Sequence, residues 1–337
     1  MPESDFDSVE GIIRGLAVCI NGAAAVANIV PLTAILRTPR LLSINEVALN
    51  MSLIISDFCL SSMMTMAVAT GWGNHGAFLD NRAVCQLQGI ATQVFSVVSI
   101  LTLLLISVNN YLVIVLEWQH LTRPQIAGCV VVSWAVIIGW ACLPLAVPGG
   151  GFVKQPSEFY CELDATSTHP AAVTVLSINI CAMTATPALI GLLYTLIVRK
   201  LWISSQRLST ALTSSSKGMM SEAETNKGSL TRQSAVSRNS HTSRQLITAG
   251  RSKNLQLQIA LVKRALSLVL VFLLSWGAYV IMLIVEYANG KPVTQLTEAV
   301  VFLFPSLNAL LNPIVLVLMD RRYREAVYDI FGQKPKP

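Results

Sequence analysis

Apolar positions along the chain gather into seven long stretches, near 11–36, 46–71, 83–116, 125–147, 171–198, 259–287 and 294–318. At ~1.5 Å rise per residue, each is long enough as a helix to cross a hydrocarbon core of ~30 Å. The runs are continuous rather than alternating, so they predict helices that satisfy their own backbone groups and not the strands of a membrane barrel. Beyond the last stretch, 320–331 places Tyr323, Ala326, Val327, Ile330 and Phe331 at helical spacing, opposite Arg321, Arg322, Arg324 and Glu325. That pattern predicts a short amphipathic helix lying on the inner membrane surface. The fold class expected is an all-α membrane protein, a seven-transmembrane helix bundle over 11–331 with a short amphipathic C-terminal helix.

Most connections between the stretches are short, which makes neighbouring helices antiparallel within one bundle. The exception is 204–254, rich in Ser, Thr, Arg, Lys, Gly and Asn and nearly free of aromatics. Such a segment cannot bury enough apolar surface to offset its ordering entropy, and it is expected to be a disordered cytoplasmic loop. There is no internal repeat, no glycine-rich nucleotide loop and no metal-ligand cluster in the sequence.

Composition agrees with lipid as part of the solvent: of 337 residues 53% are hydrophobic and only 12% charged, with a mean hydropathy of +0.59. Charge decides orientation. On one side lie Arg14, Arg82, Lys154 and Lys291, and on the other all the rest of the 24 Lys and Arg residues. Cytoplasmic loops carry the basic excess, so the first side is expected outside. Residues 1–10 then form an extracellular N-terminus and 332–337 a cytoplasmic tail, in a multi-pass protein expected at the plasma membrane. The first ten residues are acidic rather than basic-then-apolar, so the first helix is expected to act as the insertion signal. Lipid is an expected partner and nucleic acid is not.

A set of single residues lies at particular depths along these helices. Asn28 is in the first, Leu53 and Asp57 in the second, Cys85 opens the third, Trp134 is inside the fourth and Pro187 inside the fifth. The sixth reads FLLSW from Phe272 to Trp276, and the seventh NALLNP from Asn308 to Pro313, followed by Tyr323 in the amphipathic helix. In this order they resemble the pattern of rhodopsin-like (class A) G protein-coupled receptors, from Asn28 to Phe331.

Some of these residues also speak for themselves. Cys85 and Cys161 are the only two of the seven cysteines on the outer side beyond the spans, where an oxidising compartment permits a disulfide pinning the second outer loop to the third helix. Two free thiols are the alternative. Asp57 is the only carboxylate near the middle of a span, a position costing ~2.5–3.5 kcal/mol to insert, so a partner or a function is expected for it.

The resemblance implies more. Ser99, Asn308 and Asn312 would join Asp57 in a pocket suited to sodium, the alternative being a protonated Asp57 bonded to the asparagines without an ion. Thr92, Gln93 and Ser96 with Trp276, Tyr279, Phe302 and Ser306 would line the ligand site, open to an extracellular small molecule or peptide. Thr92 stands where amine receptors carry Asp, which weighs against a small cationic amine. The opening CQLQG is similar to opsins, yet Ser306 occupies the opsin lysine position and Gln88 the usual counterion position. A retinal Schiff base therefore lacks its nucleophile, and no other cofactor is expected.

The inner switch departs from the family. Asn109, Asn110 and Tyr111 replace the acidic residue, Arg and Tyr at the end of the third helix, Ala278 replaces the proline after Trp276, and Leu316 the tyrosine that follows Pro313. Gln258 occupies the sixth-helix position where some family members place the arginine's acidic partner, so Asn110 and Gln258 either exchange a neutral hydrogen bond in place of the ion pair or both point into cytoplasmic water. The reading is a receptor with an orphan ligand signalling to a heterotrimeric G protein. A receptor-like scaffold or decoy is the alternative, and a seven-helix transporter or channel a more distant one. No nucleophile, base and orienting group can be assembled, so no enzyme is expected. Serines in 204–254 beside Arg232, Arg238 and Arg244 are candidate sites for basic-directed kinases.

Overall fold

The computed structural model describes residues 3–71, 77–119, 121–225 and 234–332. In chain order its elements are α1 (Glu3–Arg37), α2 (Pro39–Leu42), α3 (Val47–Gly71), α4 (Ala77–Asp80), α5 (Arg82–Ile114) and α6 (Arg123–Ala146), then β1 (Phe152–Lys154) and β2 (Cys161–Leu163). There follow α7 (Pro170–Thr225), α8 (Ser234–Asn289), α9 (Gln295–Met319) and α10 (Arg321–Ile330). Seven of the described helices are long and apolar enough to span a membrane.

Local sequence accounts for several of the ends. The Asn81 side chain accepts from Ala83 N and Val84 N to start α5, and Thr122 and Gln125 form a capping box at α6. Thr294 accepts from Thr297 N at α9. Asp320 closes α9 and opens α10 by accepting from Arg322 N. Each cap satisfies amide groups that a helix start leaves without partners.

Side chains sort between protein and lipid. Val131, Val136, Leu274 and Ile281 leave 60–67% of their surface exposed, which only an apolar solvent accommodates over so many positions. Facing inward, Leu53, Leu103, Ile106, Ile190, Phe272 and Trp276 belong to the main core. The long helix α5 is central, touching α3, α6, α7 and α8, while α1 packs against α3 and α9.

Residues 3–10 continue α1 beyond the apolar stretch. One expectation changes. The segment 204–254, expected as a disordered loop, instead carries α7 to Thr225 and α8 from Ser234, with 226–233 outside the described residues. It contains no proline, and a helix propagating from an already formed span avoids the nucleation cost. Of the expected tail 332–337, residues 333–337 are also outside the described set.

The strands β1 and β2 form an antiparallel hairpin with Phe152 opposite Leu163 and Lys154 opposite Cys161. It lies across one end of the bundle, the hairpin end; α10 marks the other. A Cys85–Cys161 disulfide ties β2 to α5. Gln86 holds β1, donating to Phe152 O at 2.7 Å and accepting from Phe152 N at 3.0 Å. Gln88 Oε1 accepts from Cys161 N at 2.6 Å.

Gly89 completes the seat. A Cβ added there would lie 2.4 Å from the Phe152 ring and 2.7 Å from its Cβ, so rotating the ring cannot relieve the clash. Gly89→Ala is expected to destabilise the fold by about 1–3 kcal/mol through overpacking. Gly22→Ala, at a helical site with nothing within 4 Å, should stabilise by roughly 0.5–1 kcal/mol. Thermal unfolding midpoints in detergent check the pair, and equal shifts would mean that the hairpin is not seated as described.

Candidate functional site

Under the hairpin lies a cavity within the helix bundle. Its wall takes Thr92, Gln93 and Ser96 from α5, Trp276 and Tyr279 from α8, and Phe302 and Ser306 from α9, so the seven residues named from the resemblance line one space. Trp276 meets Tyr279 edge to face at 5.5 Å between ring centroids and stacks beside Phe272 at 6.1 Å. A polar patch interrupts the apolar wall at Asn179, where Gln93 Nε2 and Trp140 Nε1 both donate to Asn179 Oδ1, at 2.9 and 3.1 Å.

Ser306 is already engaged. Its hydroxyl accepts from Asn21 Nδ2 at 3.0 Å and donates to Phe302 O at 3.2 Å, which ties α1 to α9. No lysine is among the described lining residues. Gln88 is drawn to the backbone of β2 rather than facing a ligand charge.

Below the cavity, Asp57 is fully buried. Ser99 Oγ donates to its Oδ1 at 2.9 Å and Asn312 Nδ2 to its Oδ2 at 2.8 Å. Asn308 lies one turn away on α9, and the side-chain oxygens of both asparagines are buried without a hydrogen-bond partner. Buried polar atoms are rarely left unpaired. A carboxylate with two amide oxygens and a hydroxyl forms a donor set of hard oxygens, which fits a small hard cation.

At the α10 end, Asn110 Nδ2 donates to Tyr194 Oη of α7 at 3.3 Å and Asn109 Nδ2 to Glu46 Oε1 at 3.3 Å. Thus Asn110 has a partner on α7, whereas the sequence pointed to Gln258 on α8, whose side chain lies outside the described residues. Tyr111 packs against the main core. Pro313 and Leu316 are buried, Leu316 in one cluster with Tyr323 and Ile54. The Tyr323 hydroxyl accepts from Asn50 Nδ2 at 2.7 Å. At Asn110 itself the contact is neutral where the family pattern has an arginine.

The sequence reading missed the roof of the cavity. Glu298, fully buried at the start of α9, accepts from Ser157 N at 2.7 Å. Arg14 of α1 donates to Ser157 O and Glu158, pairs with Glu10 at 2.8 Å and lies 4.9 Å from the centre of the Phe159 ring. Tyr160 stacks on Phe302 at 5.1 Å, and Glu162 lines the cavity beside it. A carboxylate and an arginine inside apolar stretches were the available signal, since ionisable residues within spans are costly. Their position near the ends of the apolar stretches hid it.

Burial pushes the Glu162 carboxyl well above the usual carboxylate range, and the charges of Glu298 and Glu286 push it the same way against the neighbouring Tyr160 hydroxyl. Tyr160 itself is raised, first by burial and then by those same acids. The folded protein therefore holds the Glu162 proton at a pH where the unfolded chain has lost it. Stability is greatest below the ordinary glutamate value and falls as pH rises through the raised one, by at most ~1.4 kcal/mol per pH unit for a single group. Glu162→Gln should flatten that part of a plot of unfolding midpoint against pH. Superimposable profiles would assign the dependence to another group.

Comparison with known proteins places this geometry. Residues 27–316 match the model of the 7 transmembrane receptor (rhodopsin family) domain. Similar proteins include a Gq-coupled rhodopsin of Mizuhopecten yessoensis, 24% identical over 92% of this chain and 56% of its own length, and Melanopsin-B of Xenopus laevis, 22% identical over 96% and 55%. Opsin Rh6 of Drosophila melanogaster is 25% identical over 87% of this chain and 71% of its own. The chain thus spans about half the length of the first two relatives. The crystal structure of squid rhodopsin shares the fold, with a TM-score of 0.74 at 18% identity over 97% of this chain and 86% of that one. With the family domain covering most of its length and seven spanning helices beneath a disulfide-pinned hairpin, the chain belongs to the rhodopsin family of seven-transmembrane receptors.

Proposed function

We propose that the protein is a plasma-membrane receptor, with its hairpin end and N-terminus outside and its C-terminus in the cytoplasm, and not an enzyme. A small-molecule or peptide ligand held without a covalent bond in the cavity shifts the bundle between two states, and the α10 end passes the shift to a heterotrimeric G protein. The supporting observation is the cavity itself: it reaches from the hairpin to Trp276, and the residue at the opsin lysine position is a serine already bonded to Asn21. The excess of Lys and Arg at the α10 end supports the orientation. Asp57, Ser99, Asn308 and Asn312 would hold a sodium ion, which supplies positive charge between α3, α5 and α9. Serines beside arginines in 204–254 offer sites for basic-directed kinases, and phosphopeptide mapping of stimulated cells reads them.

Stimulated nucleotide exchange on a panel of purified G proteins, using ligands found by a binding screen, tests the coupling. Exchange on at least one class is expected. The Asn110 to Tyr194 contact favours a second reading, because it occupies the place of the family's arginine with a neutral pair. Under that reading the protein is a scaffold or decoy, and ligands bind with no exchange on any class.

A further inference from the structure

The roof of the cavity carries an acid that the sequence reading left without a role. Glu162, on the central residue of β2, lines the cavity beside Tyr160. The groups acting on its charge are two further acids, Glu298 of α9 and Glu286 of α8, and the Tyr160 phenol. The two cations that hold the hairpin are committed elsewhere: Arg14 to Glu10 and Glu158, and Lys154 to Asp80 and Glu158.

A second, independent feature also marks this space as a binding site. Ser96 Oγ and Gln93 Oε1 are buried polar atoms of lining residues, and neither has a hydrogen-bond partner. Ser96 is 4% exposed. Two orphaned polar atoms in one cavity wall mark positions where an occupant supplies the missing partners. Between them the wall is apolar, with Leu60, Met64, Leu176, Met183 and Phe302 leading down to Trp276.

We propose that the cavity takes an organic cation with an apolar body, a lipophilic or arylalkyl amine whose ammonium group lies against Glu162 under β2 and whose body extends toward Trp276. The inference rests on the receptor reading of the cavity. It also changes what Thr92 implies, because α5 lacks the carboxylate that would anchor an amine at mid-depth and the outer loop supplies one nearer the mouth. An ammonium gives Glu162 the opposite charge that Glu298 and Glu286 deny it, and its remaining N–H groups find acceptors in Tyr160 Oη or Gln93 Oε1. The carbon body gains from leaving water along the apolar wall.

The test uses full-length receptor purified in detergent and probe pairs that differ only in the head group: phenethylamine with phenethyl alcohol, tryptamine with tryptophol, and retinylamine with retinol. Affinity is read from the ligand-dependent rise in unfolding midpoint. At least one amine should bind roughly tenfold tighter than its alcohol or better, as hydrogen bonds to charged groups allow. Glu162→Gln should remove that advantage, bringing each amine to the affinity of its alcohol in the same variant, and Glu162→Asp should retain part of it. Partition of the amines into micelles is common to all variants and cancels in the comparison. If alcohols bind and no amine is preferred, or if the preference survives in Glu162→Gln, the amine assignment is overturned while the cavity remains a ligand site. If no member of any pair binds, the assignment and the receptor reading of the cavity fall together.

Discussion

Cys161→Ser should cost the protein about 2–5 kcal/mol of stability, the range seen when a native disulfide is lost. The bond closes a sequence separation of 76 residues, and it holds the strand from which Glu162 reaches the cavity. Gln86 and Gln88 retain their contacts to the hairpin, so some hairpin structure survives and the main loss is in the unfolding midpoint. Cys85→Ser should do the same damage, and the double variant no more than either single one, since both remove one shared bond. Unfolding midpoints of the three variants, with the cysteine accessibility of surface-expressed protein, provide the measurement. Additive losses, or two free thiols in correctly folded wild type, would remove the bond from the account.

Asp57→Ala should produce a loss of similar size by another route. The substitution leaves Ser99 Oγ and Asn312 Nδ2 as buried donors without an acceptor, at about 1–3 kcal/mol each, or roughly 2–6 kcal/mol together. It also removes the carboxylate of the proposed sodium site. Wild-type protein should melt higher in sodium chloride than in the chloride of a bulky organic cation, by mass action on the folded state. Asp57→Asn, which preserves shape better, should melt at the same temperature in both. A wild type indifferent to the cation would leave a hydrogen-bonded carboxyl without an ion, and the alanine variant would still show the hydrogen-bond loss.

Local composition determined the seven spans, because a run of apolar residues long enough to cross lipid has only one way to satisfy its backbone. The landmark residues from Asn28 to Pro313, through their resemblance to the rhodopsin-like pattern, then indicated which helix faces would meet. Asp57 finds Ser99 and Asn312, and Thr92 shares a cavity with Phe302. The same composition misread 204–254. Its polar residues argue against a packed core, but they do not stop a helix that a neighbouring span has already nucleated, and no proline interrupts it.

Tertiary structure decided the contacts that depend on rotation and tilt. Asn110 reaches Tyr194 on α7, a pairing that spacing along one helix cannot reveal. Tyr323 lies in a family phenylalanine position, and only the docking of α10 shows that its hydroxyl meets Asn50. The roof was the least legible part. Ser157 and Glu298 are separated by 141 residues, and Glu298 and Arg14 stand close enough to the ends of their apolar stretches to pass for solvated charges. The hairpin folds back over the bundle and buries them. Burial, rather than residue type, turns these ordinary loop and helix residues into the lining and support of a binding site, and burial is a property of the assembled bundle.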